Sequence, residues 1–357
     1  MTAEATAASE AEAIQETPLL QIDHLEMVFE THKGLFRRGS VYALNDVSLS
    51  IAAGETVAVV GESGSGKTTL GRISIRLLEP TSGTIVFEGR DITHLSDTKL
   101  HGFRKEAQIV FQDPFSSLNP YMRIFDLIEE PLTIDGVRNA KERTERIEQA
   151  LEAVDLVPAQ RFSARYPTML SGGQRQRVGI ARALVRNPKY IVADEPVSMI
   201  DASSRISILD LLRGLQEDRG VGFLYITHDI ASARHFSNRI AVMYLGEIVE
   251  EGISGAIIDH PLHPYTEALL AAIPEPDPRN RFVRRSVATG EPPNPGNRPF
   301  GCPFFSRCVR RIPGTCDIVR PPLIDIEPGH KVACHLYPTP VSASGQAPAG
   351  GVASEAI

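Results

Sequence analysis

The chain has 357 residues, room for one large domain and a smaller one. Its hydrophobic content of 42% is ordinary for a globular protein, and its formal charge of -7 argues against a nucleic-acid binder, which would usually carry a basic face. No stretch approaches the roughly 20 apolar residues needed to span a bilayer, and the acidic, Ala-rich start MTAEATAASEAEAIQE lacks the basic flank and apolar core of a signal peptide. The chain is therefore expected to stay in the cytoplasm and to reach a membrane by docking onto a partner that spans it.

Residues 1–18 have the small, polar, acidic composition of a disordered tail. LLQIDHLEMVFE reads as a strand, and VYALNDVSLSIAAGETVAVVG as further strands ending at a Gly-rich loop. TTLGRISIRLLE has helical spacing and is closed by the turn Pro80-Thr81-Ser82-Gly83. Residues 114–170 read as mostly helical, with NAKERTERIEQALEAVDL the clearest amphipathic stretch. KYIVADEP and GFLYITHD are short apolar runs ending in polar residues, the pattern of buried parallel strands with active residues at their C-terminal ends. From Pro261 the texture turns Pro-rich and irregular, and PTPVSASGQAPAGGVASEAI is a low-complexity end, read as disordered. There is no internal repeat.

Gly61-Glu62-Ser63-Gly64-Ser65-Gly66-Lys67-Thr68 matches G-x-x-x-x-G-K-[ST] between a predicted strand and a predicted helix. The glycines let the backbone curl so that successive N–H groups face phosphate oxygens, and the helix start, with Thr68 and Thr69, adds its positive end. Lys67 is expected to reach the β- and γ-phosphates and Thr68 to hold Mg²⁺. Tyr190-Ile191-Val192-Ala193-Asp194-Glu195 supplies the companion motif. Its apolar residues bury a strand, Asp194 at the tip is suited to orient Mg²⁺ through water, and Glu195 is suited to polarise the attacking water as general base. Together the two motifs define a nucleoside triphosphatase.

Leu170-Ser171-Gly172-Gly173-Gln174, ahead of the helical run RQRVGIARALV, resembles the signature of the ABC ATPases. Ser171 and the two glycines opening a helix make a second anion-binding N-terminus. The resemblance implies that this loop, including Gln174, binds the γ-phosphate of nucleotide held by a partner subunit. Gln112 in IVFQDP is similar to the Q-loop glutamine, a ligand of Mg²⁺ and water. Asp201 in SMIDAS is similar to the D-loop aspartate that crosses the dimer interface, although the usual Ser-Ala-Leu-Asp is not kept. His228 in YITHD is similar to the switch histidine on the γ-phosphate. For the aromatic residue that stacks on adenine, Phe29 is the first candidate and Tyr42, after the insertion THKGLFRRGS, the competitor. The fold implied is α/β: a RecA-like parallel-sheet core with antiparallel β and helical subdomains over residues 19–260, then a small irregular extension over 261–338 and a tail over 339–357.

FQDPFSSLNP, HPLHPYTEALLAAIP and the cysteine-bearing tail resemble the ATP-binding subunits of dipeptide and oligopeptide importers; RYPTMLSGGQRQR and the insertion before Tyr42 most resemble the second of the two non-identical ATPases such importers carry. This implies a second ATPase subunit, two permease subunits, an extracytoplasmic substrate-binding protein, and a place on the cytoplasmic face of the inner membrane. The branch also includes importers of nickel and some sugars. Soluble ABC ATPases acting on ribosomes or DNA usually carry two cassettes or a long coiled-coil insertion, and neither is present. An exporter ATPase would not carry this tail, and nothing suggests the second redox site of an iron–sulfur enzyme.

Cys302, Cys308, Cys316 and Cys334 follow the spacing C-x₅-C-x₇-C-x₁₇-C in Pro/Gly-rich loops. In a reducing compartment such clustering reads as metal binding before disulfides. Four thiolates suit tetrahedral zinc or a four-iron cluster; the absence of tight C-x₂-C pairs and the loose loops favour the larger core, and the resemblance implies 4Fe–4S. Unligated or disulfide-bonded cysteines remain the alternative. His263, Pro264 and Tyr265 read as the cap of the helix TEALLAAI, joining the ATPase to its extension, with no part in catalysis.

Overall fold

The computed structural model describes residues 17–33, 37–273 and 299–338. Residues 1–16 of the tail expected over 1–18, the tail expected over 339–357, and part of the insertion before Tyr42 lie outside the described residues. Two sheets organise the chain. The first is antiparallel, of order β2-β1-β4-β5, from β1 (Leu20–Lys33), β2 (Arg37–Ile51), β4 (Ser82–Phe87) and β5 (Arg90–Asp91).

The second sheet has the order β11-β12-β10-β9-β3-β8-β7-β6. Its strands β3 (Thr56–Val60), β6 (Ala107–Val110), β7 (Tyr190–Asp194), β8 (Gly222–Thr227) and β9 (Arg239–Tyr244) are mutually parallel. An antiparallel edge follows, of β10 (Glu247–Ile253), β12 (His330–Val332) and β11 (Ile324–Glu327). Every residue of β3, β7 and β8 is buried, which explains their unbroken apolar runs: a strand covered on both faces has no polar side to alternate with.

Side-chain alternation sorts these strands between two cores. Ala58, Val60, Ile191, Ala193, Phe223 and Tyr225 face the helices Ile124–Ile134, Ala140–Glu152 and Gly172–Leu184. Val57, Val59, Tyr190, Val192, Leu224 and Ile226 face the antiparallel sheet and the helix Lys67–Ser74. The sheet thus carries the tips of β3, β7 and β8 to one edge, as the apolar runs ending in polar residues implied.

The amphipathic stretch is the helix Ala140–Glu152, capped by Asn139 accepting from Lys141 and Glu142 N–H. The helix expected over TTLGRISIRLLE is shorter. It ends at Ser74, and Arg76 takes a left-handed φ of 55° while its guanidinium bonds the Ile92 and Leu78 carbonyls.

The extension is not a free appendage, because its β12 pairs with β10 of the core. Glu250 of β10 is fully buried, and its carboxylate accepts Leu262 N–H at 2.7 Å, His263 N–H at 2.9 Å and His330 Nε2 at 2.8 Å. A buried carboxylate with three donors is satisfied, and here it ties two segments of the extension to the sheet. His263 caps the helix Pro264–Ala271 through Nδ1 accepting Tyr265 N–H at 3.0 Å, so the capping expected of this motif is present, with the helix starting two residues before Thr266.

Candidate functional site

The Gly-rich loop runs from the tip of β3 to the helix Lys67–Ser74. Two of its glycines are dictated by space. A Cβ on Gly61 would stand 2.2 Å from the Met243 carbonyl, and one on Gly66, at φ +102°, would stand 2.4 Å from the Ala43 carbonyl. The loop is pinned further by Gly246 N–H donating to Ser65 O at 2.9 Å. Ser63 and Gly64 occupy its turn, and Thr68 and Thr69 the first turn of the helix. Lys67 is buried, and its Nζ donates to the carbonyls of Gly61 and Glu62, each at 2.8 Å. Burial lowers its pKa, opposed by the nearby Glu195, Asp194 and Glu62.

Asp194 ends β7, beside β3's neighbour β8, and the Thr68 hydroxyl donates to its Oδ1 at 3.1 Å. Burial raises the Asp194 pKa, with the Thr68 hydrogen bond working against it. This pair is a hydroxyl and a carboxylate on oxygen chemistry that suits Mg²⁺. The next residue, Glu195, has a left-handed φ of 46°, a strained setting for a non-glycine residue, held by its N–H on the Ile226 carbonyl at 2.9 Å. The bend turns its carboxylate away from the strand. Oε2 accepts Gln112 Nε2 at 3.0 Å and lies 3.2 Å from His228 Nδ1. Lys67, Thr68, Asp194, Glu195, Gln112 and His228, spread over 162 positions of sequence from Lys67 to the turn after β8 (His228 follows Thr227), are therefore one constellation at the sheet edge.

The signature residues serve a different place. Ser171 caps the helix Gly172–Leu184 and forms a reciprocal box with Gln174: Gln174 N–H donates to Ser171 Oγ at 3.3 Å, and Ser171 N–H to Gln174 Oε1 at 3.2 Å. Gly172 backs onto Met199 and Ile200, and a Cβ on Gly173 would stand 3.0 Å from Ser204 Oγ. The signature thus packs beside Asp201, which caps the helix Ala202–Arg219 and accepts from Ser203 Oγ, Ser204 Oγ and Ser204 N–H. Those hydrogen bonds hold the Asp201 carboxyl down at a pKa of about 2.

Phe29 and Tyr42 are both part-exposed on the β1–β2 ribbon. Phe29 pairs with Val41 and Val28 with Tyr42, so the two aromatic side chains point to opposite faces.

The four cysteines are free thiols. Cys302 N–H donates to the Cys316 carbonyl at 2.7 Å, and Ile312 N–H to Cys316 Sγ at 3.4 Å. Backbone N–H groups of Phe304, Arg310 and Leu336 likewise reach Cys302, Cys308 and Cys334. Burial pushes Cys302 up to about 12, and the negative charge of the other three thiols adds to it, so the four stand within electrostatic range of one another. Among the described residues, however, no three His, Cys, Asp or Glu side chains are disposed to hold a metal ion.

One link had no sequence signal. Arg307, next to Cys308, forks both guanidinium nitrogens onto the Glu62 carboxylate at 2.8 and 2.9 Å, and Tyr265 Oη accepts Glu62 N–H at 2.8 Å. Tyr265 was expected to do no more than help cap a helix. It also touches the phosphate-binding loop, because the tilted stack of Tyr244, Tyr265 and Phe304 turns its hydroxyl there.

A Gly-rich loop, a paired Asp-Glu strand tip, a glutamine and a histidine on one carboxylate, and a separate Ser-Gly-Gly helix start define an ATP-binding cassette. The comparisons agree. The family model described as "ABC transporter" matches residues 44–198, and one described as "Oligopeptide/dipeptide transporter, C-terminal region" matches residues 249–316. The chain is 46% identical over 322 residues to the putative oligopeptide transport ATP-binding protein YkfD of Bacillus subtilis (strain 168), covering 90% of this chain and 96% of that one. It is 46% identical over 329 residues to the oligopeptide transport ATP-binding protein AppF of the same organism, covering 91% and 99%. The dimeric post-hydrolysis structure of the ATP-binding cassette MJ0796, bound to ADP and Pi, matches with a TM-score of 0.59 and 34% identity over 66% of this chain and 98% of that chain. The chain is an ABC transporter ATPase, hydrolysing ATP to drive transport. It belongs to the oligopeptide/dipeptide transport family of ATP-binding subunits.

Proposed function

We propose that this subunit powers import of dipeptides or oligopeptides through a pair of permease subunits fed by an extracytoplasmic binding protein, and that it works at the cytoplasmic face of the membrane beside a second, non-identical ATPase. The observation that carries the reading is the extension. The segment that matches the oligopeptide/dipeptide C-terminal model is bonded into the sheet through Glu250 and into the phosphate-binding loop through Arg307. Relatives at 46% identity are described as peptide import or oligopeptide transport ATP-binding proteins. No helix among the described residues is long and apolar enough to cross a membrane. A cavity of about 240 Å³ lined by Phe111, the neighbour of Gln112, with Ile134, Gln176, Arg182 and Arg186, has room for a few side chains of a permease helix but not for the helix itself.

In this reading Gly61–Thr69 cradle the ATP phosphates with backbone N–H groups, Lys67 neutralises the β- and γ-phosphates, and Phe29 stacks on the base. Thr68, Asp194 and Gln112 would hold Mg²⁺, which supplies charge neutralisation on the phosphate oxygens. Glu195 takes the proton of the attacking water. Gln112 and His228, both within hydrogen-bond reach of its carboxylate, fix its rotamer, and His228 reports the γ-phosphate. Ser171, Gly172, Gly173 and Gln174 close over the nucleotide of the partner ATPase, and Asp201 beside them faces the dimer seam. Losing the γ-phosphate removes the bridge between the halves, and they separate.

Cys302, Cys308, Cys316 and Cys334 are proposed ligands of a 4Fe–4S cluster. Support comes from the resemblance of the cysteine spacing and from the electrostatic proximity of the four thiols, with Ile312 N–H donating to Cys316 Sγ at 3.4 Å. Protein purified without oxygen is expected to contain iron and acid-labile sulfide in equal amounts; zinc, or no metal, overturns the ligand assignment.

The transport reading is tested by uptake of labelled dipeptide into vesicles carrying the assembled transporter, with ATP inside the lumen that represents the cytoplasm and export monitored in parallel. Accumulation driven by ATP and by loaded binding protein is expected. Nickel uptake without peptide uptake overturns the substrate class.

A further inference from the structure

Every part of Glu62 is held. Its carboxylate takes the fork of Arg307, its N–H donates to Tyr265 Oη, and its carbonyl accepts Lys67 Nζ at 2.8 Å. Arg307 and Tyr265 come from the extension, 245 and 203 positions away in sequence. Neither is free to move. The Arg307 side chain is 7% exposed, its guanidinium packed 5.9 Å from the Tyr244 ring centre and 5.8 Å from that of Phe304, and Tyr265 is fully buried.

Lysine has three ammonium donors. Two of those on Lys67 are spent on the carbonyls of Gly61 and Glu62, and Ser65 Oγ is a longer contact at 3.4 Å. The direction of the remaining donor is therefore set by where those two carbonyls stand. Gly61 is fixed by its packing on Met243, whereas Glu62 has a flexible side chain that in most surroundings would be solvated. Here a planar bidentate pair fixes both the position and the plane of its carboxylate.

We propose that Arg307 and Tyr265 are positioning residues for ATP hydrolysis: by clamping Glu62 they aim Lys67 at the nucleotide phosphates, and so make the C-terminal extension part of the nucleotide site. The proposal rests on Lys67 binding those phosphates, as in the reading above. Electrostatic stabilisation depends on donors that are in place before the charge arrives, and displacement of about 1 Å at a remote support is enough to cost catalysis on the order of 10²-fold. Arg307 adjoins Cys308, so disorder around the thiols reaches the phosphate-binding loop across one peptide bond.

The test measures affinity of the purified full-length chain for a fluorescent ATP analogue, and KM and kcat for ATP in the assembled transporter. Arg307→Ala is expected to weaken nucleotide affinity and raise KM on the order of tenfold, with Arg307→Lys recovering part of the loss. Glu62→Ala combined with Arg307→Ala is expected to be no worse than either alone, because both remove the same clamp. Tyr265→Phe, which deletes a single oxygen, should weaken affinity in the same direction and serves alone if Arg307→Ala does not fold. Lys67→Ala is the control. If it leaves affinity intact, the phosphate-loop reading itself fails. If it abolishes binding while Arg307→Ala and Tyr265→Phe bind normally, or lower only the melting temperature, the clamp is a structural anchor and the proposal is overturned.

Discussion

Nδ1 of His228 lies 3.2 Å from Oε2 of Glu195, the same carboxylate oxygen that accepts the Gln112 amide at 3.0 Å. The carboxylate of Glu195, the proposed base, is thus oriented from two sides, from the turn after β8 and from the loop after β6. Removing an oriented donor from a charge-developing site costs rate rather than binding. His228→Ala is expected to lower kcat about 10²-fold in the assembled transporter while the KM for ATP changes little. Steady-state ATPase kinetics decide this; a higher KM at unchanged kcat would assign His228 to binding alone.

Asp194 is a carboxylate whose pKa is raised, chiefly by burial, and the Thr68 hydroxyl opposes that rise. A raised carboxylate pKa means that the proton persists to higher pH, so proton and Mg²⁺ compete over a range where an exposed aspartate would already be ionised. Without the cation, the charged form is a burden on the fold, relieved as pH falls through the folded pKa. The Mg²⁺ concentration for half-maximal ATP hydrolysis is therefore expected to rise as pH is lowered toward the folded pKa. Asp194→Asn should raise it at every pH and flatten that dependence, which a Mg²⁺ titration at several pH values measures.

Glu250 is buried with three hydrogen-bond donors, two of them backbone N–H groups at the root of the extension. Glu250→Ala leaves those donors unsatisfied and opens a cavity, at a cost of about 3 kcal/mol. Thermal unfolding of the purified chain should show a lower midpoint, and proteolysis should release fragments of the extension ahead of the core. An unchanged midpoint would mean that the extension is held by its other contacts alone.

His263 is fully buried, and burial, then the nearby Arg310, push its pKa down to about 3. It stays neutral in the folded chain while an unfolded histidine takes a proton near pH 6.5. Between those values the unfolded state binds more protons, so stability rises with pH there and falls as pH is lowered from about 6.5 toward 3, by at most about 1.4 kcal/mol per unit. His263→Asn keeps a capping acceptor and loses the titrating ring. Its unfolding midpoint should fall less steeply on acidification than that of the parent chain, measured by thermal melts across that range.

The chemistry of the core was legible because each motif is local. Spacing within Gly61–Thr68 and the run ending at Asp194-Glu195 fix a loop and a strand tip without any tertiary information. The family pattern singled out Gln112 and His228 one by one, but their meeting on the Glu195 carboxylate is a finding of the structure, since residues on three separate turns have no spacing of their own. Three features resisted reading. The helix starting at Lys67 stops at Ser74, and Arg76 just beyond it takes a left-handed φ while bonding the Ile92 carbonyl, a contact that helical spacing does not announce. Phe29 and Tyr42 are indistinguishable in sequence because both belong to one ribbon, and only the register puts them on opposite faces. The fork of Arg307 on Glu62 spans 245 positions, and an arginine in a Pro/Gly-rich tail carries no mark of its target.

Glu195 is proposed as the base for ATP hydrolysis, and ATP turnover by the assembled transporter carrying Glu195→Gln, alongside retained nucleotide under the same conditions, measures that role directly. Turnover is expected to fall by at least about 10²-fold while ATP remains bound and intact. Turnover at the parent rate would contradict it.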